Sequence, residues 1–125
     1  MKSFEEYISD FLKGVAFTVD VDYANPASVR KSNRGVELYR KSVALIDKHY
    51  PERIGEFAGL MESNLPKVSI CCAVSLLDLT EHYTQSHETR ALEIVTDTMK
   101  RSDSAEKYGW EVWLKNWEER KKKII

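Results

Sequence analysis

Glu56-Phe57-Ala58-Gly59-Leu60-Met61-Glu62-Ser63-Asn64-Leu65-Pro66-Lys67-Val68, continuing through Ser69-Ile70-Cys71-Cys72-Ala73-Val74-Ser75-Leu76-Leu77 to Leu79, reads as two helices closed by a short polar turn. The first helix places Ile54, Phe57, Ala58 and Met61 at i, i+3, i+4 and i+7, the spacing of one helical stripe. The second is apolar on two sides. Val68, Cys71, Cys72, Leu76 and Leu79 form one stripe, and Ile70, Val74 and Leu77 form another. A helix that is apolar all round is expected at the centre of a fold, with neighbours on every face. An outer helix, a tight turn and a buried inner helix together form the unit of an α-solenoid.

Working toward the N-terminus, Ser3 and Glu6 have the spacing of a capping box, with Phe4, Tyr7, Ile8 and Phe11 behind it. The first helix is therefore predicted over about 4–13, with Gly14 as its C-terminal glycine. Phe17 to Tyr23 alternates apolar and polar residues with period two, the pattern of a strand. No other stretch offers a partner strand, and a lone strand leaves its backbone unsatisfied. The expectation is an extended connector laid over the helices, with a continued, irregular helix as the alternative.

Asn25-Pro26 is an N-cap followed by proline at the first helical position, and it opens a second helix reaching about His49. Its stripe is Gly35, Leu38, Tyr39, Val43 and Ile46. Pro51 breaks the chain and opens helix three, over 52–62. Asn64 is expected to cap helix four, and Gln85 to Thr89 opens helix five, with Ala91, Leu92, Val95 and Met99 on one face. Ser102-Asp103-Ser104 is a turn and N-cap cluster before helix six, where Trp110, Trp113, Leu114 and Trp117 recur at helical spacing. The outcome is one all-α domain over 1–125, of about six helices in stacked antiparallel hairpins. An N-terminal helix and extended connector occupy 1–25, and helical hairpins 26–120.

Composition narrows the function classes. The sequence carries 19 Lys plus Arg against 20 Asp plus Glu, a formal net charge of −1. Nucleic-acid or anionic-membrane binding draws on a basic surplus, and overall there is none. The one basic run, Arg120-Lys121-Lys122-Lys123, follows Glu118-Glu119 and reads as a solvated, frayed tail. The start, Met1-Lys2-Ser3-Phe4-Glu5-Glu6, lacks the apolar core of a signal peptide, and Ile70 to Leu77 is too short for a membrane span. A cytoplasmic location follows as the expectation. Cys71 and Cys72 are adjacent on a helix, about 100° apart, which suits neither a disulfide nor a shared metal. Both are expected as buried free thiols.

Candidate chemistry is sparse. His82 and His87 lie five residues apart beside Glu81 and Glu88, whereas a helical zinc site wants ligands at i and i+3 or i+4. They read as loop residues, and His49 as a helix-end histidine. No metal or cofactor is therefore expected. Mid-helix thiols in an apolar face are inert. There is no nucleophile elbow, phosphate loop or dinucleotide glycine motif. The tryptophan stripe reads as the packing layer of the last helix, with Trp110 the ring expected to stay partly exposed. Its exposed edge suits a partner anchor, since Trp is enriched at hot spots. The residues expected to meet a partner are Lys67, Lys107, Trp110, Glu111 and Lys115.

Leu60 to Val68, followed by Cys72-Ala73-Val74 and Leu76-Leu77, resembles a HEAT-type repeat hairpin. A second hairpin follows in Ala91-Leu92-Glu93-Ile94-Val95, then Ala105, Gly109 and Trp113-Leu114 with Trp117. With Asn33-Arg34 on the preceding helix, the order is similar to a family of small bacterial HEAT-like domains of uncharacterised function. HEAT units usually carry a basic residue after the valine of the inner helix, and here Ser69 stands in that place. The resemblance implies a non-enzymatic scaffold that binds a protein partner, and by analogy an immunity or antitoxin protein of a toxin system. It supplies no catalytic residues. The alternative it raises is a nucleic-acid-directed enzyme of the HEAT-like DNA glycosylase kind. That would need Arg34, Lys67, Lys107 and Lys115 gathered into one basic groove.

Overall fold

The computed structural model describes residues 2–124. Met1, which opens the acidic start, and Ile125 lie outside the described residues. The chain is all-α, and its described residues hold six α-helices and no strand. They are α1 (Phe4–Ala16), α2 (Pro26–His49), α3 (Ile54–Ala58), α4 (Val68–Leu79), α5 (Gln85–Arg101) and α6 (Ser104–Ile124).

The capping box forms as its spacing requires: the Glu6 amide donates to Ser3 Oγ, and the Ser3 amide donates to Glu6 Oε1, both at 3.1 Å. Phe4, Tyr7, Phe11 and Val15 are buried along one side of α1. Gly14 does not end the helix. It is buried within it, where α1 crosses α2. A Cβ there would lie 2.6 Å from the Gly35 carbonyl oxygen and 2.8 Å from the Tyr39 nitrogen, so the pair of glycines lets two backbones touch. Tyr50, just after α2, closes the other end of this antiparallel hairpin. Its ring packs edge-on against Phe4 and Tyr7, and its hydroxyl donates to the Lys2 carbonyl at 2.9 Å.

The segment after α1 is not extended. It winds on irregularly, with the Thr18 amide donating to Val15 O at 2.9 Å and the Val19 amide to Ala16 O at 3.2 Å. With no strand to pair with, these amides take the free carbonyls at the helix end. Asp20 then reverses the chain with φ of 59°. Asn25 caps α2 through its side chain, as its place before Pro26 predicts.

Helix three is not continuous. Pro51–Arg53 and Gly59–Glu62 are 3₁₀ turns flanking the short α3. Gly55 and Gly59 weaken helix propagation here, yet Ile54, Phe57, Ala58 and Met61 still bury as one stripe. Helix four starts at Val68, later than the Asn64 cap implies. Lys67 occupies its N-cap position in the left-handed conformation, with φ of 62°. Ser63 Oγ accepts the Leu65 amide at 3.1 Å, and the left-handed backbone at Lys67 interrupts the helical path between Asn64 and Val68. The Ser69 hydroxyl donates to Met61 O at 2.6 Å, tying α4 to the preceding turn.

The core lies where α1, α2, α3 and α5 meet α4. Val68, Cys72, Ala73, Ser75, Leu76 and Leu77 are buried there, but Ile70, Cys71 and Val74 are only half-buried. The all-round apolar helix is thus covered on one side and part-open on the other, and of the two thiols only Cys72 is fully enclosed. The basic run is also not a frayed tail throughout. α6 continues to Ile124, Arg120 pairs with Asp78 at 2.6 Å, and Lys121 pairs with the buried Glu88.

Candidate functional site

The part-open side of α4 forms the floor of a groove of about 700 Å³. Lys67, Ile70, Cys71 and Val74 line it at i, i+3, i+4 and i+7, so one helical stripe supplies the whole floor. Val36 and Tyr39 of α2 make one wall, and Trp110 and Trp113 of α6 the other. Tyr23 sits at the mouth with 82 % of its surface exposed.

Each wall is held by a specific set of contacts. On the α2 side, Tyr39 packs edge-on against Phe11, with ring centroids 5.8 Å apart. On the α6 side, the Trp113 indole N–H donates to Asp78 Oδ2 at 3.0 Å, while Arg120 takes the other oxygen of the same carboxylate. Trp110 packs edge-on against Trp113 at 6.3 Å. Further along, Trp117 is buried, 7 % exposed, with the Lys121 ammonium 5.2 Å from its ring centre. α6 is therefore anchored by its C-terminal half, and its N-terminal half presents two indoles to the groove.

Tyr39 and Cys71, which line the groove, are held protonated. Burial, then the neighbouring Cys71, pushes the Tyr39 hydroxyl up to about 12. Burial likewise raises the Cys71 thiol, and raises that of Cys72 further. The cation is Lys67, whose ammonium donates to the Thr18 carbonyl at 2.8 Å. The groove thus offers apolar and aromatic area, neutral hydrogen-bonding groups, one fixed positive charge at Lys67 and the Glu106 side chain on the α6 wall. Such a surface is suited to binding.

Of the five residues expected to meet a partner, Lys67 and Trp110 line this groove. Lys107, Glu111 and Lys115 are exposed on α6 outside it, as is Arg34 on α2. The structure does not gather the four cations into one groove. Tyr39, Cys71 and Trp113 join the site instead, and nothing in their spacing separated them from core positions.

A second cavity, of about 610 Å³, lies between the 80–84 loop and the end of α6. Its cations, Arg120 and Lys121, are already taken by Asp78 and Glu88. His82 sits on that loop with Nδ1 at 2.7 Å from Asp47 Oδ1, a contact that raises its pKa. His87 serves the cap of α5, its amide donating to Thr84 Oγ1 at 3.2 Å. Among the described residues no group of three His, Cys, Asp or Glu is placed to hold a metal ion, and no helix is long and apolar enough to cross a membrane.

Comparison with family models, with curated proteins and with solved structures finds no match to this chain.

Proposed function

We propose that the protein is a non-enzymatic interaction module whose partner is another protein, bound in the groove over α4. One observation carries this reading: a helix apolar on every face has one stripe only part-covered, flanked by Tyr39 on one side and two indoles on the other. Apolar surface rimmed by aromatic side chains is the composition of an interface centre. HEAT-like stacking of the hairpins belongs to the same proposal, since such stacks leave one side for a partner. A toxin as the partner is its narrower form, and that form rests on the resemblance of the hairpins alone.

Affinity purification from the native host, run in parallel with wild-type protein, Trp110→Ala and Tyr108→Ala, tests the reading. A stoichiometric protein should be recovered by the wild type and by Tyr108→Ala, whose ring is exposed outside the groove, and be lost with Trp110→Ala. Equal recovery by all three would place the interface elsewhere. Gel-shift assays at physiological salt should show weak nucleic-acid binding at most. Tight, salt-sensitive binding would favour the glycosylase-like alternative.

A further inference from the structure

The shape and charge of the groove restrict what part of a protein can fill it. Adding a strand to a sheet edge is excluded for the described residues, which contain no strand. The floor runs from Lys67, the N-cap of α4, to Val74, seven steps of about 1.5 Å or about 10.5 Å along the axis. Two turns of an α-helix, a cylinder about 10 Å across, fill about 800 Å³. The groove, about 700 Å³ and walled by helices on both sides, has room for a segment of that kind to lie in it.

Charge adds a direction. Lys67 is fixed at both ends, by its left-handed backbone and by the bond from its ammonium to Thr18 O. An ammonium has three N–H donors, and this bond uses one. Among the described residues Lys67 has no carboxylate within ion-pair distance. A cation held in place before binding loses little freedom when a partner arrives. Glu106, which lines the α6 wall, is likewise without an ion pair among the described residues, and suits a basic residue on the occupant's other flank.

We infer that the groove takes an amphipathic α-helix of the protein partner, its apolar stripe on Ile70, Val74 and the two indoles, and an Asp or Glu paired with Lys67. This rests on the groove being the partner site. The test is selection from a displayed library of 15-residue peptides, followed by affinity and circular dichroism measurements on the winners. Enriched peptides should carry apolar residues at i, i+3, i+4 and i+7 with a nearby acidic residue, and gain helicity when bound. Lys67→Glu should weaken them by about tenfold or more, and replacing the peptide's acidic residue by Lys should restore binding to that variant. Should Lys67→Glu not fold, Lys67→Gln serves. It should weaken the acidic peptide and leave its Glu→Gln counterpart unchanged, a double-mutant cycle. Binders lost with Trp110→Ala but indifferent to Lys67 overturn the carboxylate contact and leave the groove standing. Binders indifferent to both overturn the groove itself. A library that yields only extended, proline-rich winners, or none, overturns the helical occupant.

Discussion

Cys71 and Cys72 are neighbours of one residue type on one helix, yet they belong to different regions of the molecule. Cys72 is enclosed, its thiol donating to Phe57 O at 3.3 Å, among Leu76, Ala73 and Val68. Cys71, about 100° round the helix, borders a groove beside Tyr39. The difference lies in the neighbours and not in the residue. Helices α1, α2, α3 and α5 cover one side of α4, while α6 is held at its far end and leaves the other side part-open. A side chain's apolarity fixes how much is gained by covering it, and only the number and placement of other helices decides whether it is covered.

The contrast between closed and open regions is broken most strongly at the tryptophans. Trp117→Ala should cost about 3–5 kcal/mol, because a large buried ring leaves a cavity. Trp110→Ala, which removes a half-buried ring, should cost less than half of that. Thermal or denaturant unfolding of the two variants compares them directly, and equal losses would mean that the groove wall is as closed as the core.

A smaller effect is expected where α6 is anchored. Lys121→Ala leaves Glu88, whose side chain is 10 % exposed, without its partner. Removing one member of a fully buried pair costs about 3–5 kcal/mol. Lys121 is itself 42 % exposed, so about 2 kcal/mol is the expected loss by denaturant unfolding. The variant should also loosen Trp113 and Trp110, visible as a red shift of tryptophan emission. A loss below about 0.5 kcal/mol would class the pair with ordinary surface ion pairs.

These two regions were unequally legible in the sequence. The capping box at Ser3, the Asn25-Pro26 start, the burial of Ile54, Phe57, Ala58 and Met61, and the burial of Trp117 all followed from spacing. Such features depend on residues within one or two turns of each other. Gly14 was misread as a terminator because a glycine needed for close approach to Gly35 looks the same locally as one needed for a left-handed turn. Over 17–23 the missing partner strand already excluded a strand. The choice between an extended connector and a continued, irregular helix turns on the free carbonyls of Val15 and Ala16, which local alternation does not record, and the irregular helix is what forms. Continuity of helix three failed for a related reason: its stripe is right, but two glycines let the backbone tighten. Of the residues expected to meet a partner, Lys67 and Trp110 line the groove. Tyr39, Cys71 and Trp113 line it as well and are not singled out by the sequence, because a half-covered stripe and a fully covered one have the same composition. Lys107, Glu111 and Lys115 share a helix with Trp110 but not its side of it.

The pH dependence is the smallest effect, and it probes the loop at the second cavity. The contact with Asp47 holds the His82 pKa above its usual value of 6.5. A group raised on folding adds stability that is whole below its unfolded pKa and is lost as pH rises through the folded one. Asp47→Asn keeps an oxygen for the Glu81 amide, which donates to Asp47 Oδ1 at 3.3 Å, but removes the charge. The melting temperature gap between wild type and Asp47→Asn should therefore be wider at pH 5.5 than at pH 8.5. A gap that does not narrow toward alkaline pH would show that the charge of His82 does not matter there.

Alkylation of the native protein, followed by peptide mapping, bears most directly on the claim that α4 is closed on one side and open on the other. Both thiols are raised by burial, so both should react slowly, and their order is the informative quantity. Cys71 should be modified first, in protein that remains folded, with Cys72 following only under denaturant. Addition of a groove-binding peptide should slow the modification of Cys71 alone. Equal native rates at the two positions, or Cys72 reacting first, would contradict the two-sided reading of the central helix.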